Sequence, residues 1–255
     1  MNPQYIIFTS CGNDSVALIQ WAYEQKLRDV LCSYSNTGWG ADWWQARSYD
    51  VHHWVESLGF GFEETSGESM ADLVRRKKAW PRGGGGKFQF CTPALKVLPA
   101  EAWMNKVDAD KTATCMIGIR REESRNRRDH PEHIEESPAH GGRDLWAPLV
   151  RHTEAMRDEL LAKTPFPPLP YRSKECYPCV NATPKELAQL DELTIVKIET
   201  LENEMGVNSK GNPRVMFSPA KHNGAVGIRA VVDNAQKMND QLFSTVICSS
   251  GWCND

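Results

Sequence analysis

The chain has 255 residues, 40% hydrophobic and 25% charged, which is typical of one large globular domain or of a domain with a smaller appendage. Its 30 Lys and Arg against 33 Asp and Glu give a net charge of −3, which argues against both a basic nucleic-acid scaffold and an acidic solvating chain. No apolar run approaches the roughly 20 residues of a membrane span. Residues 1–10 lack the pattern of a signal peptide, so we expect a cytoplasmic protein without membrane contact.

Strand and helix patterns alternate along the first half of the chain. Short β-rich runs predict strands at 5–8, 30–34, 60–64 and 112–119. An apolar stripe from Val16 to Ala22, preceded by the N-cap residue types Asp14 and Ser15, predicts a helix after the first strand, and residues 43–58 predict a second. Strands that alternate with helices indicate an α/β fold with a doubly wound, mostly parallel sheet.

Three segments interrupt this alternation. They are four consecutive glycines (83–86), a loop rich in Arg, Glu and His (120–143), and a proline-rich segment (164–170). A helical stretch follows at 185–205. We therefore predict an α/β domain at residues 1–160 and a smaller, helical and irregular C-terminal subdomain with several cysteines at residues 161–255.

The segment between the first strand and its helix, residues 10–15, is typical of an anion-binding loop. In Ser-Cys-Gly-Asn-Asp-Ser, backbone amides and a helix N-terminus converge on one point, and both favour negative charge there. Gly12 admits an oxygen close to the backbone, while Ser10 and Ser15 add hydroxyl donors. Asp14 suits a cap or an outer-shell contact of Mg²⁺. The alternative is a capped helix after a tight turn, and the lysine of a Walker loop is absent.

This loop resembles the SGGxDS loop of the PP-loop ATP pyrophosphatases, in the adenine nucleotide alpha-hydrolase superfamily, with Cys11 where the family has its first glycine. Further segments in the family order resemble its phosphoadenosine-phosphosulfate (PAPS) reductase-like branch. They are Asn36-Thr37-Gly38, Cys91-Thr92 with Leu95-Lys96 and Pro99, 118–124 with Arg127, and 146–149 with Thr153-Glu154. In character the chain is most similar to the DNA-phosphorothioation ATP pyrophosphatases.

The resemblance implies that ATP and Mg²⁺ lie at the carboxyl ends of the strands, where cleavage between the α- and β-phosphates adenylates a substrate. The nucleotide-binding residues that it implies are Phe8, Thr9, Ser10, Cys11, Gly12, Asn13, Asp14, Ser15, Ser35, Thr37, Gly38, Gly118 and Arg120. The catalytic residues that it implies are Asp14, Ser15, Lys96, Arg120, Arg121 and Cys248. A solvated charge run is the alternative for the arginines, and we favour it for Arg125, Arg127 and Arg128.

The chain has eight cysteines, which in a reducing compartment indicate metal or sulfur chemistry rather than disulfides. The CxxC pair at 176–179 and its spacing from Cys91 resemble the iron–sulfur sulfonucleotide reductases, with Phe90 where that family has another cysteine. The expected ligands of a [4Fe–4S] cluster, or of Zn²⁺ as the alternative, are Cys91, Cys176, Cys179 and Cys253. Cys248 is an alternative fourth ligand, and Cys32 and Cys115 are expected to be buried.

These features favour an enzyme that uses ATP to adenylate an atom of DNA or tRNA, which sulfur held by a cysteine or a cluster then displaces. The implied partners are a cysteine desulfurase or another sulfur donor and further subunits of a modification system. Residues 75–78, Lys87 and 120–128 are the candidate nucleic-acid surface. A PAPS or APS reductase is one alternative, although the tail lacks the Glu-Cys-Gly of those enzymes, and a non-catalytic ATP-sensing module is another.

Overall fold

The structure is a computed structural model that describes the backbone of residues 2–249 and the side chains of residues 2–239. The chain divides into two compact units. Unit 1 comprises the residues up to Glu68 and Pro93–Cys176, and unit 2 comprises Ser69–Thr92 and the residues from Tyr177 onward. The division differs from the predicted boundary at residue 160, because residues 161–176 belong to unit 1 and residues 69–92 to unit 2. Segment 69–92 contains a helix, as the alternation of strands and helices in unit 1 predicts. The sequence pattern therefore does not indicate that this segment belongs to unit 2.

Unit 1 is built on a six-stranded sheet with the strand order β3-β2-β1-β4-β6-β5. The strands are β1 (Tyr5–Thr9), β2 (Val30–Asn36), β3 (Gly61–Ser66), β4 (Thr114–Ile117), β5 (His133–Ser137) and β6 (Arg143–Trp146). All neighbours are parallel except β5, which is antiparallel to β6 at the edge of the sheet. The prediction of a doubly wound, mostly parallel α/β fold is confirmed.

Helices occur in both units. They are α1 (Asn13–Glu24), α2 (Asp42–Ser57), α3 (Met70–Lys77), α4 (Leu98–Val107), α5 (Glu154–Leu161), α6 (Pro184–Leu187), α7 (Glu192–Met205) and α8 (Ile228–Ser249). The helical stretch predicted at 185–205 is two helices, because Asp191 caps α7 by accepting a hydrogen bond from the Thr194 amide at 2.8 Å. Of the helices in the described part of the chain, none has the length and apolar character needed to cross a membrane.

The hydrophobic core of unit 1 covers both faces of the sheet. On one face, Trp103 and Met104 of α4 pack with Ile6, Cys115 and Leu145 from three neighbouring strands. The adjacent strand residues point to the opposite face, because side chains alternate along a strand. Ile7, Cys32 and Met116 are among them and are fully buried, so this second face is covered as well. Burial on both faces explains why apolar residues occupy consecutive positions in the central strands, as at Ile6 and Ile7 of β1 and Cys115 and Met116 of β4.

Unit 2 encloses a buried carboxylate. Glu202 of α7 accepts hydrogen bonds from the backbone amides of Met216 and Ile228, both at 2.8 Å. Burial raises the pKa of Glu202, although these two hydrogen bonds oppose the shift. The side chain thereby joins α7 to the start of α8 and to the segment that precedes it.

The strand order of unit 1 reverses between β1 and β4. From β1 the chain adds β2 and β3 on one side, and it then places β4 and β6 on the other. In open parallel sheets, ligands bind beyond the carboxyl ends of the strands at such a reversal. Thr9, at the end of β1, and Gly118, directly after β4, lie at this position.

Part of the charged loop predicted at 120–143 is a β-strand, and its last residue forms a buried ion pair. It includes β5, and Arg143 at the start of β6 is completely buried. Arg143 Nε donates to Asp108 Oδ2 at 2.5 Å, and Nη2 donates to the Asp108 carbonyl at 2.5 Å. Burial alone would raise the pKa of Asp108, but Arg143 and the amides of Thr112 and Ala113 lower it overall.

We predict that Arg143→Ala lowers the free energy of unfolding by about 3–5 kcal/mol, because it leaves the Asp108 carboxylate buried without its partner. Urea denaturation at pH 7 measures the change. Because the pKa of Asp108 is lowered in the folded state, the stability from this pair is present at neutral pH and is lost as the pH falls through the acidic range. The control is Arg151→Ala, whose side chain is 74% exposed beside Glu132, and which should cost less than about 1 kcal/mol. Equal effects of the two substitutions would contradict the prediction.

Candidate functional site

The loop after β1 is closed by hydrogen bonds among its own residues. Thr9 Oγ1 accepts from the Cys11 amide at 3.0 Å and donates to Ser15 Oγ at 3.1 Å. Ser15 Oγ in turn donates to the Gly12 carbonyl at 3.1 Å. This network fixes the backbone of the loop and the first turn of α1.

The N-terminus of α1 lies at the end of this loop. The helix begins at Asn13, with Gly12 as an extended N-cap residue, and no side chain caps it. The prediction that Asp14 or Ser15 caps the helix is wrong, because both residues lie inside the first turn. The first amides of α1 are therefore without a capping side chain, which leaves them suited to an anion.

Cys11 occupies a backbone conformation that favours glycine. Its φ is +56°, in the left-handed region, and its side chain is fully buried. Burial raises the pKa of Cys11 to about 12, so the thiol is neutral at physiological pH. Cys11 therefore presents its backbone, and no thiolate, to the loop.

Arg120 joins the end of β4 to the first turn of α1. It is 4% exposed, its Nε donates to Asp14 Oδ1, and its Nη1 lies 3.3 Å from Glu122 Oε2. Glu122 Oε2 also accepts from the Glu154 amide at 2.7 Å, at the start of α5. The guanidinium charge is shared by two carboxylates, so in this structure Arg120 positions Asp14.

Gly118 allows β4 and α1 to approach at backbone distance. A Cβ atom at this position would lie 2.6 Å from the carbonyl oxygen of Asp14 and 3.1 Å from the amide nitrogen of Ser15. Such contacts are too short for any side chain, and the neighbouring atoms are backbone that cannot rotate away. The glycine that the sequence motif identified is therefore required by packing against the first turn of α1.

The turn after β2 is organised by Thr37. Thr37 Oγ1 donates to the Glu175 carbonyl at 2.7 Å and accepts from the Trp39 amide at 3.3 Å. Gly38 has a φ of +60°, and its amide donates to Asn36 Oδ1 at 2.9 Å. The predicted residues Thr37 and Gly38 thus shape this turn through their own hydrogen bonds.

Residues 169–176, which we call the strap, connect the loops after β1 and β2. Asn13 and the backbone of Leu169 exchange two hydrogen bonds of 2.9 Å each. The Ala41 amide donates to the Lys174 carbonyl at 3.0 Å, and a Cβ atom on Gly12 would lie 3.1 Å from Ser173 Cβ. The sequence analysis assigned this segment to the C-terminal subdomain. The contacts that hold it in unit 1 join residues far apart in the chain, so no local sequence pattern indicates them.

Four further predicted residues are engaged by the protein itself. Lys96 forms an ion pair with Glu175 of the strap. Both Nε and Nη2 of Arg121 donate to the His130 carbonyl, at 3.0 and 2.9 Å. Phe8 packs against the α4 side of the core, and Ser35 Oγ lies 3.3 Å from Thr65 Oγ1 of the neighbouring strand.

Arg47 of α2 is a residue of the site that sequence reasoning missed. Its Nε donates to the Cys11 carbonyl at 2.7 Å, and its guanidinium carbon lies 5.5 Å from the ring centre of Trp44 and 5.2 Å from that of Phe166. Its Nη2 is buried and has no hydrogen-bond partner among the described residues. Burial lowers the pKa of Arg47. In the sequence, only the three-residue spacing of Trp44 and Arg47, which places them on one helix face, indicates that they are neighbours. This spacing is too common in helices to predict a site.

The cysteines fall into buried and partly exposed groups. Cys32 and Cys115 are fully buried as expected, and burial raises the pKa of both, that of Cys115 to about 12. Burial also raises the pKa of Cys91, and the neighbouring Cys179 raises it further. Cys176 is the last residue of unit 1, and its Sγ lies 3.5 Å from Thr37 Oγ1.

The predicted metal site is not formed by the side chains that the structure describes. Among residues 2–239, no group of three or more His, Cys, Asp or Glu side chains is arranged to hold a metal ion. Cys91 and Cys179 belong to unit 2, whereas Cys176 belongs to unit 1. The side chain of Cys248 and the whole of Cys253 lie outside the described residues. A [4Fe–4S] cluster or tetrahedral zinc requires three or four ligands together, and the predicted set is not complete within the described side chains.

Several solved structures are similar to the chain, and two of them are described here. No family model and no curated protein matches the chain. PAPS reductase from Candida auris, in a phosphate complex, is 15% identical over 63% of this chain and 72% of its own, with a TM-score of 0.42. The U34-tRNA thiolase NcsA from Methanococcus maripaludis, with its [4Fe–4S] cluster, is 13% identical over 93% of this chain and 72% of its own, with a TM-score of 0.43. At these values neither comparison assigns a family or an activity to the chain.

Proposed function

We propose that the chain is an ATP pyrophosphatase that adenylates a nucleic-acid acceptor for sulfur incorporation, as its resemblance to PAPS reductase-like PP-loop proteins implies. One observation carries the proposal: the uncapped N-terminus of α1 lies where the strand order reverses, which is the usual ligand position of such sheets. Helix amides and loop amides at one point bind phosphate groups. The hydroxyls of Thr9 and Ser15 hold that point rigid.

The first step is transfer of an adenylyl group. An oxygen of the acceptor attacks the α-phosphorus of ATP, and pyrophosphate leaves with the electron pair of the bridging P–O bond. The amides of residues 12–15 bind the phosphate oxygens and stabilise their charge without rearranging. Asp14 is the carboxylate of this loop, it is 22% exposed, and it suits outer-shell binding of Mg²⁺, which would supply further neutralising charge.

The second step replaces AMP by sulfur. A cysteine desulfurase supplies sulfur as a cysteine persulfide, whose terminal sulfur attacks the adenylated atom while AMP leaves with the electron pair of the broken bond. The disulfide thus formed between the cysteine and the acceptor is cleaved by a second thiol, which supplies the two electrons and is itself oxidised to a disulfide. We assign the persulfide to Cys176, whose Sγ lies 3.5 Å from Thr37 Oγ1.

The product formed distinguishes this proposal from its alternatives. Anaerobically purified protein is incubated with ATP and Mg²⁺, and pyrophosphate is measured without acceptor, with DNA, and with tRNA. We expect pyrophosphate whose rate rises with a nucleic acid. Sulfite from PAPS would instead indicate a sulfonucleotide reductase, and ATP binding without either product would indicate an ATP-sensing module.

We predict that Gly118→Ala weakens ATP binding at least tenfold, about 1.4 kcal/mol, because the new Cβ displaces the first turn of α1. Isothermal titration calorimetry with Mg²⁺ measures the affinity. Gly40→Ala is the matched control, since its Cβ would have no neighbour nearer than 3.5 Å and should leave binding unchanged. Circular dichroism checks that both variants fold, and wild-type affinity in Gly118→Ala would argue against a nucleotide at this loop.

We predict that Asp14→Asn reduces pyrophosphate release by about a hundredfold, comparable to the loss of one electrostatic catalytic group. The substitution keeps the size of the side chain but removes the charge that pairs with Arg120 and suits Mg²⁺. Asp42→Asn is the control, because Asp42 occupies the first turn of α2 and is exposed. If both variants kept the wild-type rate, Asp14 would have no part in the reaction.

We predict that Cys176→Ser abolishes sulfur transfer while pyrophosphate release continues, because only the second step needs the thiol. Sulfur incorporation is followed with radiolabelled sulfur, and iron and zinc contents are measured in parallel. Cys179→Ser is the control, and it should retain transfer if Cys176 acts alone. Loss of iron in both variants would show instead that the two cysteines share a cluster.

A further inference from the structure

Segment 69–92 of unit 2 carries a local excess of positive charge. It contains six basic residues and a single acidic one, Asp72, in a chain whose net charge is −3. Arg75 is neutralised, because its Nε lies 2.7 Å from Glu204 Oε1 and its Nη1 lies 3.2 Å from Asp72 Oδ1. Four other basic residues are exposed and form no ion pair with a described residue, namely Lys77, Lys78, Arg82 and Lys87.

The four glycines 83–86 form a hydrogen-bonded loop rather than a loose linker. The Gly84 amide donates to Asn181 Oδ1 and the Gly85 amide to Gln89 Oε1, each at 2.8 Å. The Arg82 amide closes the loop by donating to the Phe88 carbonyl at 2.8 Å. A Cβ atom at residue 85 or 86 would meet nothing within 4 Å, so this part of the loop faces open space.

Phe88 follows the glycines and presents its ring to solvent. It is 61% exposed, and Lys87 Nζ lies 5.2 Å from the ring centre. Lys221, from the turn Pro219–Lys221, approaches the loop, since its Nζ would lie 4.0 Å from a Cβ on Gly84. An open backbone loop, an exposed aromatic ring and unpaired cations are thus gathered in one part of unit 2.

We infer that this region is a binding surface for single-stranded nucleic acid, and we call it the glycine-loop surface. Its members are Arg82, the glycines 83–86, Lys87, Phe88 and Lys221, and the exposed Lys77 and Lys78 precede them in the same segment. The inference rests on the proposed function, because the bound strand would be the nucleic-acid acceptor that is adenylated. The cations contact phosphates, and the ring of Phe88 stacks on a base.

The combination of groups favours a single strand over other polyanions. A duplex offers phosphates to the lysines, but its bases are stacked on one another and give Phe88 no free face. An acidic protein would pair its carboxylates with the lysines, but such pairing would not involve the exposed ring of Phe88. Single strands offer both a charged backbone and unstacked bases, and base–aromatic stacking contributes about 1–3 kcal/mol per base.

The test is fluorescence anisotropy of the full chain with a labelled single-stranded oligonucleotide, in buffer without ATP or Mg²⁺. We expect Phe88→Ala to weaken binding roughly 5- to 150-fold, which is the stacking contribution expressed as an affinity ratio. The double variant Arg82→Gln, Lys87→Gln should reduce the slope of log affinity against log salt by about 1–2. Lys210→Gln, an exposed cation of unit 2, and Tyr49→Ala, an aromatic residue that is 63% exposed, are the controls and should bind like the wild type.

Three outcomes would overturn the inference. They are wild-type affinity in both test variants, duplex binding as tight as single-strand binding with no effect of Phe88→Ala, and equal competition by polyglutamate, which would indicate an acidic protein partner. Because the assay contains no ATP, its result is independent of the pyrophosphatase. Binding that depends on Phe88 in a chain that releases no pyrophosphate would retain this surface and reject the proposed function.

Discussion

The backbone contact between the first turn of α1 and the end of β4 determines the geometry of the candidate site. Gly118 permits it because a Cβ there would collide with Asp14, and Arg120 strengthens it by an ion pair with the same residue. The strap adds two hydrogen bonds to Asn13. The amides of the loop are thus held in place before any ligand arrives, so binding an anion requires little reorganisation.

The fold was predictable from the sequence where the determining pattern is local. Strand runs such as residues 30–34 and the helix after Gly12 follow from residue periodicity, and Gly118 was identified by its motif. The strap, the buried Arg143 and the role of Arg47 were not predictable, since each depends on contacts between distant parts of the chain. Of the two roles considered for Asp14, the cap is wrong, because Asp is found both at caps and inside first turns, and here it lies inside the first turn of α1.

Burial gives the basic residues of this chain different roles. Arg120 and Arg143 lie in the interior, and both are bonded to carboxylates, so they organise structure. Lys77 and Lys87 are exposed without such partners among the described residues and are available for a polyanion. A net charge near zero therefore conceals an uneven distribution, and the total count of lysines and arginines says little about nucleic-acid binding.

Unit 2 is assembled from two pieces of chain that are separated by residues 93–176. During synthesis on the ribosome, the first piece emerges before the second has been made. Its apolar residues Met70, Leu73 and Val74, which are buried in the folded chain, remain exposed until the second piece is present. A fragment that starts at Tyr177 would lack this piece altogether. Premature termination anywhere within residues 93–176 would accordingly leave the newborn polypeptide with exposed hydrophobic surface, the kind of species that chaperones retain.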